Sequence, residues 1–285
     1  MAFPRLAAAA ALCVFALTLA SPAPAAAQTR IVSLAPSTTE ILFALGAGPE
    51  VVGVSQYCDY PPQVRELPRV GSFLTPNLEA IIALRPTLVV GLELSSDVRQ
   101  IRALNSMGYP VLLVSDDSLQ QIENSIEKVG ARIDREAEAH QLVAQIQSQI
   151  AAVQERLANA KPLRALMLVG HQPIVAVGPG TYLDELMRIA RADNIADTVG
   201  QQWPHLSMEF MIAMRPQVIL DGAMGTDPSS SAFWEKYPQI PAVRDHRVFG
   251  YAEDPMLHAG PRVGQSLEII ARKVHPEAWP TGADK

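Results

Sequence analysis

Short apolar runs alternate with amphipathic stretches along most of this chain. Arg30-Ile31-Val32-Ser33-Leu34, Val51–Val54, 88–90 and 111–114 are three- to five-residue units dominated by Val, Leu and Ile, the pattern of buried strands. Between them, 36–45, 78–84 and 98–107 carry apolar residues at helical spacing, the first opened by Pro36-Ser37-Thr38 and stopped at Gly46 and Gly48. The same order restarts with a strand at 165–169, a helix at 182–190 and strands at 218–220 and 248–249. Strands and helices in strict alternation predict parallel sheets covered by helices, here in two halves.

Residues 134–158 contain no proline or glycine, and Leu142, Ile146, Ile150, Val153 and Leu157 recur at spacings of four, four, three and four. This predicts one amphipathic helix with a single apolar stripe. At 1.5 Å per residue it would be roughly 38 Å long, enough to bridge two lobes. The expected organisation is an N-terminal lobe at 28–132, a linker helix within 133–160 and a C-terminal lobe at 161–285.

An internal repeat supports two equivalent halves. Leu78-Glu79-Ala80-Ile81-Ile82-Ala83-Leu84-Arg85-Pro86 aligns without gaps with Met208-Glu209-Phe210-Met211-Ile212-Ala213-Met214-Arg215-Pro216, and each segment feeds an apolar strand. Glu79 and Glu209 fall in the first turn of their helices, after the potential caps Asn77 and Ser207. Pairing with a helix N-terminus, worth ~0.3–1 kcal/mol, accounts for either one alone. Their equivalence in two lobes also makes them a symmetric docking surface.

The first 27 residues break the pattern. Arg5 precedes an apolar run at 6–20, and Ser21-Pro22-Ala23-Pro24-Ala25-Ala26-Ala27 follows. This predicts a secretory leader cleaved near Ala27, since the run falls short of the ~20 residues of a membrane span. Cys13 follows Leu12 rather than a small residue, which argues against a lipid anchor. Cleavage removes Cys13 and Arg5, leaving Cys58 as the lone cysteine and a charge one unit more negative than the formal −6 of the full chain. The mature protein therefore relies on its core rather than on a disulfide. Without a Lys/Arg cluster, nucleic acid and anionic membrane are poor partners. A basic protein surface suits this chain better.

Enzyme signatures are absent: there is no Gly-x-Ser-x-Gly, His-Glu-x-x-His, Cys-x-x-Cys or phosphate loop. The glycines at 46, 48 and 53 follow a helix and precede a strand, the reverse of a dinucleotide fingerprint. A hydrolase built on His171 or His258 with an acid would lack a nucleophile motif. The scattered histidines predict no metal site. Cys58 has no basic neighbour in sequence to activate it and reads as a packing residue.

Ligands in parallel sheets bind at the carboxyl ends of strands. That rule selects Tyr57, Leu92, Glu93, His171 and the 254–258 segment with Asp254 and His258, together with Phe73 and Trp203 before the two repeated helices. Tyr57, Phe73 and Trp203 suggest a wide apolar cleft that stacks a flat, bulky ligand.

The segments Arg30-Ile31-Val32-Ser33-Leu34-Ala35-Pro36-Ser37-Thr38-Thr39-Glu40, Tyr57-Cys58-Asp59-Tyr60-Pro61-Pro62, Asn77-Leu78-Glu79, Trp203-Pro204, Arg215-Pro216 and Pro261-Arg262 resemble the periplasmic cobalamin-binding proteins of ABC importers. The wider family also binds haem and ferric siderophores. The resemblance covers nearly the whole mature chain. It implies two Rossmann-like α/β lobes joined by a single rigid helix, with the ligand cleft between the lobes. It implies a monomeric periplasmic carrier without a catalytic cofactor, whose cargo is cobalamin or another corrinoid, or alternatively haem or a ferric siderophore held through His171, His258 or Tyr57. Glu79 and Glu209 match the glutamates that meet permease arginines. Tyr57, Phe73, Trp203 and Asp254 match pocket positions, while Leu92 stands in place of a tryptophan and His258 in place of an arginine.

Overall fold

The computed structural model describes residues 29–95, 98–222, 231–251, 254–256 and 258–279; the leader at 1–27 lies outside them. The N-terminal lobe runs β1 (Ile31–Ser33), α1 (Pro36–Ala44), β2 (Val51–Val54), α2 (Leu78–Ala83), β3 (Leu88–Leu92), α3 (Arg99–Ser106) and β4 (Val111–Val114). Its sheet is wholly parallel, in the order β2-β1-β3-β4. A parallel strand is buried on both faces, and its residues alternate between two cores. Ile31, Leu88 and Val90 face one core, while Val32 and Val89 face another.

Two helices follow, α4 (Leu119–Arg132) and α5 (Glu136–Arg156). The sequence reading anticipated α5 two residues longer at each end and did not anticipate α4, although Ile122, Ile126 and Val129 are buried at helical spacing. At 21 residues, α5 spans roughly 32 Å. It packs against α4 on one side and against the last helix of the chain on the other.

The C-terminal lobe comprises β5 (Leu163–His171), β6 (Ile174–Ala176), α6 (Tyr182–Ile189), β7 (Ala192–Asn194), α7 (Met208–Met214), β8 (Val218–Asp221), α8 (Ser231–Trp234), α9 (Pro241–Arg244), β9 (Val248–Gly250) and α10 (Val263–Val274). Strands β5, β8 and β9 run parallel, with β7 parallel and β6 antiparallel against β5. The fold is thus two α/β lobes, each with its own sheet.

The repeat extends to backbone conformation. Asn77 Oδ1 accepts from Ala80 N at 3.0 Å and Ser207 Oγ from Phe210 N at 3.1 Å, so both helices carry a side-chain cap. Both end in an arginine in left-handed backbone, Arg85 at φ 48° and Arg215 at φ 51°, just before the proline. The following proline disfavours right-handed helical backbone at each arginine, which stops the helix and turns the chain into β3 or β8.

One continuous buried cluster joins the lobes. It includes Ile31 and Val90, then Ala139, Val143, Ile146 and Val153 of α5, then Met167, Leu220, Leu267 and Ile270. Separate cores cover the far face of each sheet. No helix among the described residues is long and apolar enough to cross a membrane.

Candidate functional site

A cavity of ≈ 750 Å³ lies between the lobes, at the carboxyl ends of strands from both sheets. The first turn of α1 contributes Ser37, β3 ends in Leu92, and Asp116 and Asp117 follow β4. From the other side come Val169 on β5, Tyr182 at the start of α6, Tyr251 just beyond β9, and His258. Strands terminating at one level leave their connecting loops to form the walls, which is how parallel sheets generate a crevice.

The walls are mainly apolar and partly uncovered. Tyr57 is 54% exposed and Trp203 47% exposed, although both are large hydrophobic side chains, and Leu74, Leu94 and Val169 are exposed beside them. Tyr57 and Phe73 lie with ring centroids 6.4 Å apart and planes tilted by 57°. Apolar side chains left in water in a concave surface mark a place where a ligand can replace that water.

Two buried tyrosines also line the cavity. Tyr182 donates to the Met256 carbonyl at 3.2 Å and Tyr251 to the Leu168 carbonyl at 2.7 Å. Burial pushes both phenols up, so they serve as fixed hydrogen-bond donors. Asp116 Oδ2 accepts from Ser37 Oγ at 3.0 Å, and burial pushes the Asp116 carboxyl up to about 6.

Next to the cavity the lobes are tied by charge. Glu40 of α1 is 2% exposed; Arg262, just before α10, donates Nε to its Oε2 at 2.7 Å and Nη2 to its Oε1 at 2.5 Å. Arg262 also stacks over the Tyr60 ring at 3.8 Å. His258 Nδ1 sits 3.3 Å from Glu40 Oε1, while the residue itself lines the cavity.

Of the side chains singled out from sequence, Tyr57, Phe73, Leu92, Trp203 and His258 come together around this cavity. Glu93 does not line it. Its carboxylate accepts from the Ser115 hydroxyl, in an exposed position between the lining residues Leu92 and Leu94. His171 does not line it either, because β5 continues through that residue and its ring is engaged elsewhere. Its Nε2 is 2.7 Å from Asp221 Oδ2, its ring stacks on Phe233 at 4.2 Å, and Trp234 Nε1 donates to the same Asp221 oxygen at 2.6 Å. The side chain of Asp254 lies outside the described residues.

Asp116, Asp117, Tyr182 and Tyr251 were missed from sequence. The strand-end rule applied to Val114 would have found the two acids; Tyr182 reads as an ordinary core position of an amphipathic helix. Cys58 is buried, with Sγ 3.2 Å from Thr39 Oγ1, and burial raises its thiol to about 11, a packing role without reactivity. Glu79 and Glu209 are exposed on α2 and α7. The carboxyl of Glu209 is lowered by its own backbone N–H and by the Ser207 hydroxyl. Among the described residues, no group of three potential ligands could hold a metal ion.

The model of the periplasmic binding protein family matches residues 31–255. The chain belongs to this family. This periplasmic binding protein is 31% identical over 273 residues to the Vitamin B12-binding protein of Yersinia pestis (strain Pestoides F), covering 95% of this chain and 94% of that one. Its fold superposes on the apo form of the periplasmic heme-binding protein RhuT from Roseiflexus sp. RS-1 with a TM-score of 0.80 and 30% identity, over 88% of this chain and 100% of RhuT. It also matches the periplasmic Vitamin B12 binding protein BtuF of Vibrio cholerae, with a TM-score of 0.76 and 25% identity over 87% and 97% of the two chains. These relatives are substrate-binding proteins, and this chain is a substrate-binding protein of the same kind.

Proposed function

We propose that this protein is exported, is cleaved near Ala27, and captures cobalamin or a close corrinoid as a monomer in the periplasm for delivery to an ABC importer. The observation that carries the reading is the inter-lobe cavity, whose exposed rings Tyr57 and Trp203 come one from each lobe. A flat macrocycle covered by both rings would bury apolar surface on two faces at once. Phe73 and Leu92 extend the apolar wall, while His258 and Asp254 supply polar selection and Glu93 borders the opening. The 31% identity with the Yersinia pestis protein supports the choice of cargo.

Delivery rests on Glu79 and Glu209, exposed at equivalent places in the two lobes. A permease with one arginine cluster per half would engage one glutamate from each lobe, with charge complementarity fixing the orientation. Binding is non-covalent and the protein performs no chemistry on the cargo.

Equilibrium dialysis against cyanocobalamin tests the capture step. Wild type should bind at micromolar concentration or below, and Trp203→Ala should weaken binding about tenfold or more through lost stacking and burial. Equal affinity of the two proteins would remove the stacking role, and no binding by wild type would remove the cargo assignment.

A further inference from the structure

The charge of the cavity wall is one-sided. No lysine or arginine lines it among the described residues, whereas two carboxyls, Asp116 and Asp117, do. The basic side chain on the wall, His258, has Nδ1 3.3 Å from Glu40 Oε1, and Glu40 already pairs with Arg262, which does not line the cavity. Asp116 is the more enclosed of the two acids and is held in place by the 3.0 Å bond from Ser37 Oγ. A carboxylate offers about four acceptor positions, so the bonds from Ser37 and from its own backbone N–H leave capacity for donors from a ligand. The groups beside Asp116 are its neighbour Asp117, Ser37 of α1 and Tyr182 of α6, with His258 also on the wall. The side chains beside Asp116 itself, Asp117, Ser37 and Tyr182, include no basic group, so a negative charge brought in next to it by a ligand would meet no countercharge there.

We propose that Asp116 sets the charge selectivity of the cavity, accepting a hydrogen bond from a carboxamide N–H on the rim of a macrocycle and excluding macrocycles whose rim carries carboxylates. This rests on the corrinoid reading above and deepens it: peripheral amides are the recognised feature, and a dicarboxylate such as haem is rejected. An amide N–H given to an ionised, poorly hydrated carboxylate is a charge-assisted bond, stronger than a neutral one. A ligand carboxylate at the same place would meet a like charge in a partly dehydrated site. Burial has already raised the Asp116 carboxyl to about 6, so a further anion nearby would be resisted.

The test measures dissociation constants at pH 7.5 for cyanocobalamin, for cyanocobalamin with single peripheral carboxamides hydrolysed to carboxylates, and for haemin. Wild type, Asp116→Asn and Asp116→Ser are compared after their thermal unfolding has shown each to be folded. Wild type should discriminate against at least one monocarboxylate isomer by about tenfold or more. Both Asp116 variants should cut that ratio to a few-fold. At pH 5.0, where Asp116 is largely protonated, the wild-type ratio should shrink and the Asp116→Asn ratio should move less. Tight cyanocobalamin binding with no discrimination, or discrimination that survives both Asp116 variants, overturns this inference and leaves the corrinoid reading intact. Binding of haemin in preference to cyanocobalamin, or of neither, overturns both.

Discussion

Asp116 ties folding stability to the ionisation of a side chain on the cavity wall. Its carboxyl ionises near 4 in an unfolded chain but near 6 in the folded protein, where burial penalises the charge. The native state therefore holds more protons than the unfolded state between those values, and stability falls as pH rises through the window from about 4 to about 6. Above the window the loss is complete, and a difference of this size corresponds to on the order of 3 kcal/mol. Asp116→Asn carries no such charge. Urea denaturation at a series of pH values should show the variant more stable than wild type at pH 7, with the gap closing towards pH 4. A gap of constant size would show that Asp116 is not the titrating group. Retaining a destabilising acid in the wall fits a residue kept for contact with a ligand.

At the scale of elements, the repeated helix–strand unit is where sequence and structure agree most closely. Asn77 and Ser207 begin α2 and α7, the left-handed Arg85 and Arg215 end them, and Glu79 and Glu209 stand exposed in each first turn. Removing both exposed carboxylates touches neither core. Glu79→Ala with Glu209→Ala should leave cyanocobalamin affinity nearly unchanged while uptake through a reconstituted importer falls about tenfold or more; unaltered uptake would eliminate the docking role. Strands β2 and β4 were legible to the residue because continuous apolar runs bounded by turn residues have few alternatives. Helix α4 was overlooked because Gln120, Gln121, Glu123 and Asn124 surround its buried Ile122 and dilute the stripe. Strands β6 and β7, three residues each, are too short for a periodicity to appear. In the site, Tyr57 and Trp203 were legible as bulky rings in loops, whereas His171 misled because β5 extends through it to the Asp221 contact. Tyr251 was unreadable because only tertiary packing reveals that its ring lies along the cavity and its hydroxyl meets Leu168.

For the whole molecule, the two lobes are coupled more firmly than a linker helix alone would couple them. The cluster that includes Ile146 and Val153 of α5 runs without a break into both sheets, and the buried Glu40–Arg262 pair crosses from one lobe to the other beside the cleft. Under the proposed docking role, such a spine would hold Glu79 and Glu209 at a set separation for a two-sided partner. Arg262→Ala would strand Glu40, a carboxylate that is 2% exposed, and should lower unfolding stability by about 3–5 kcal/mol. Replacing both partners by methionine should recover much of that loss, because the main penalty is the orphaned charge rather than the missing attraction. Chemical denaturation of the three proteins checks this, and an unaltered midpoint for Arg262→Ala would show that the pair does not hold the lobes. The capture of a corrinoid between these lobes is tested most directly by native mass spectrometry of the mature protein exposed to equimolar cyanocobalamin and haemin. The expected result is a single one-to-one adduct with cyanocobalamin; an adduct with haemin instead, or no adduct, would contradict it.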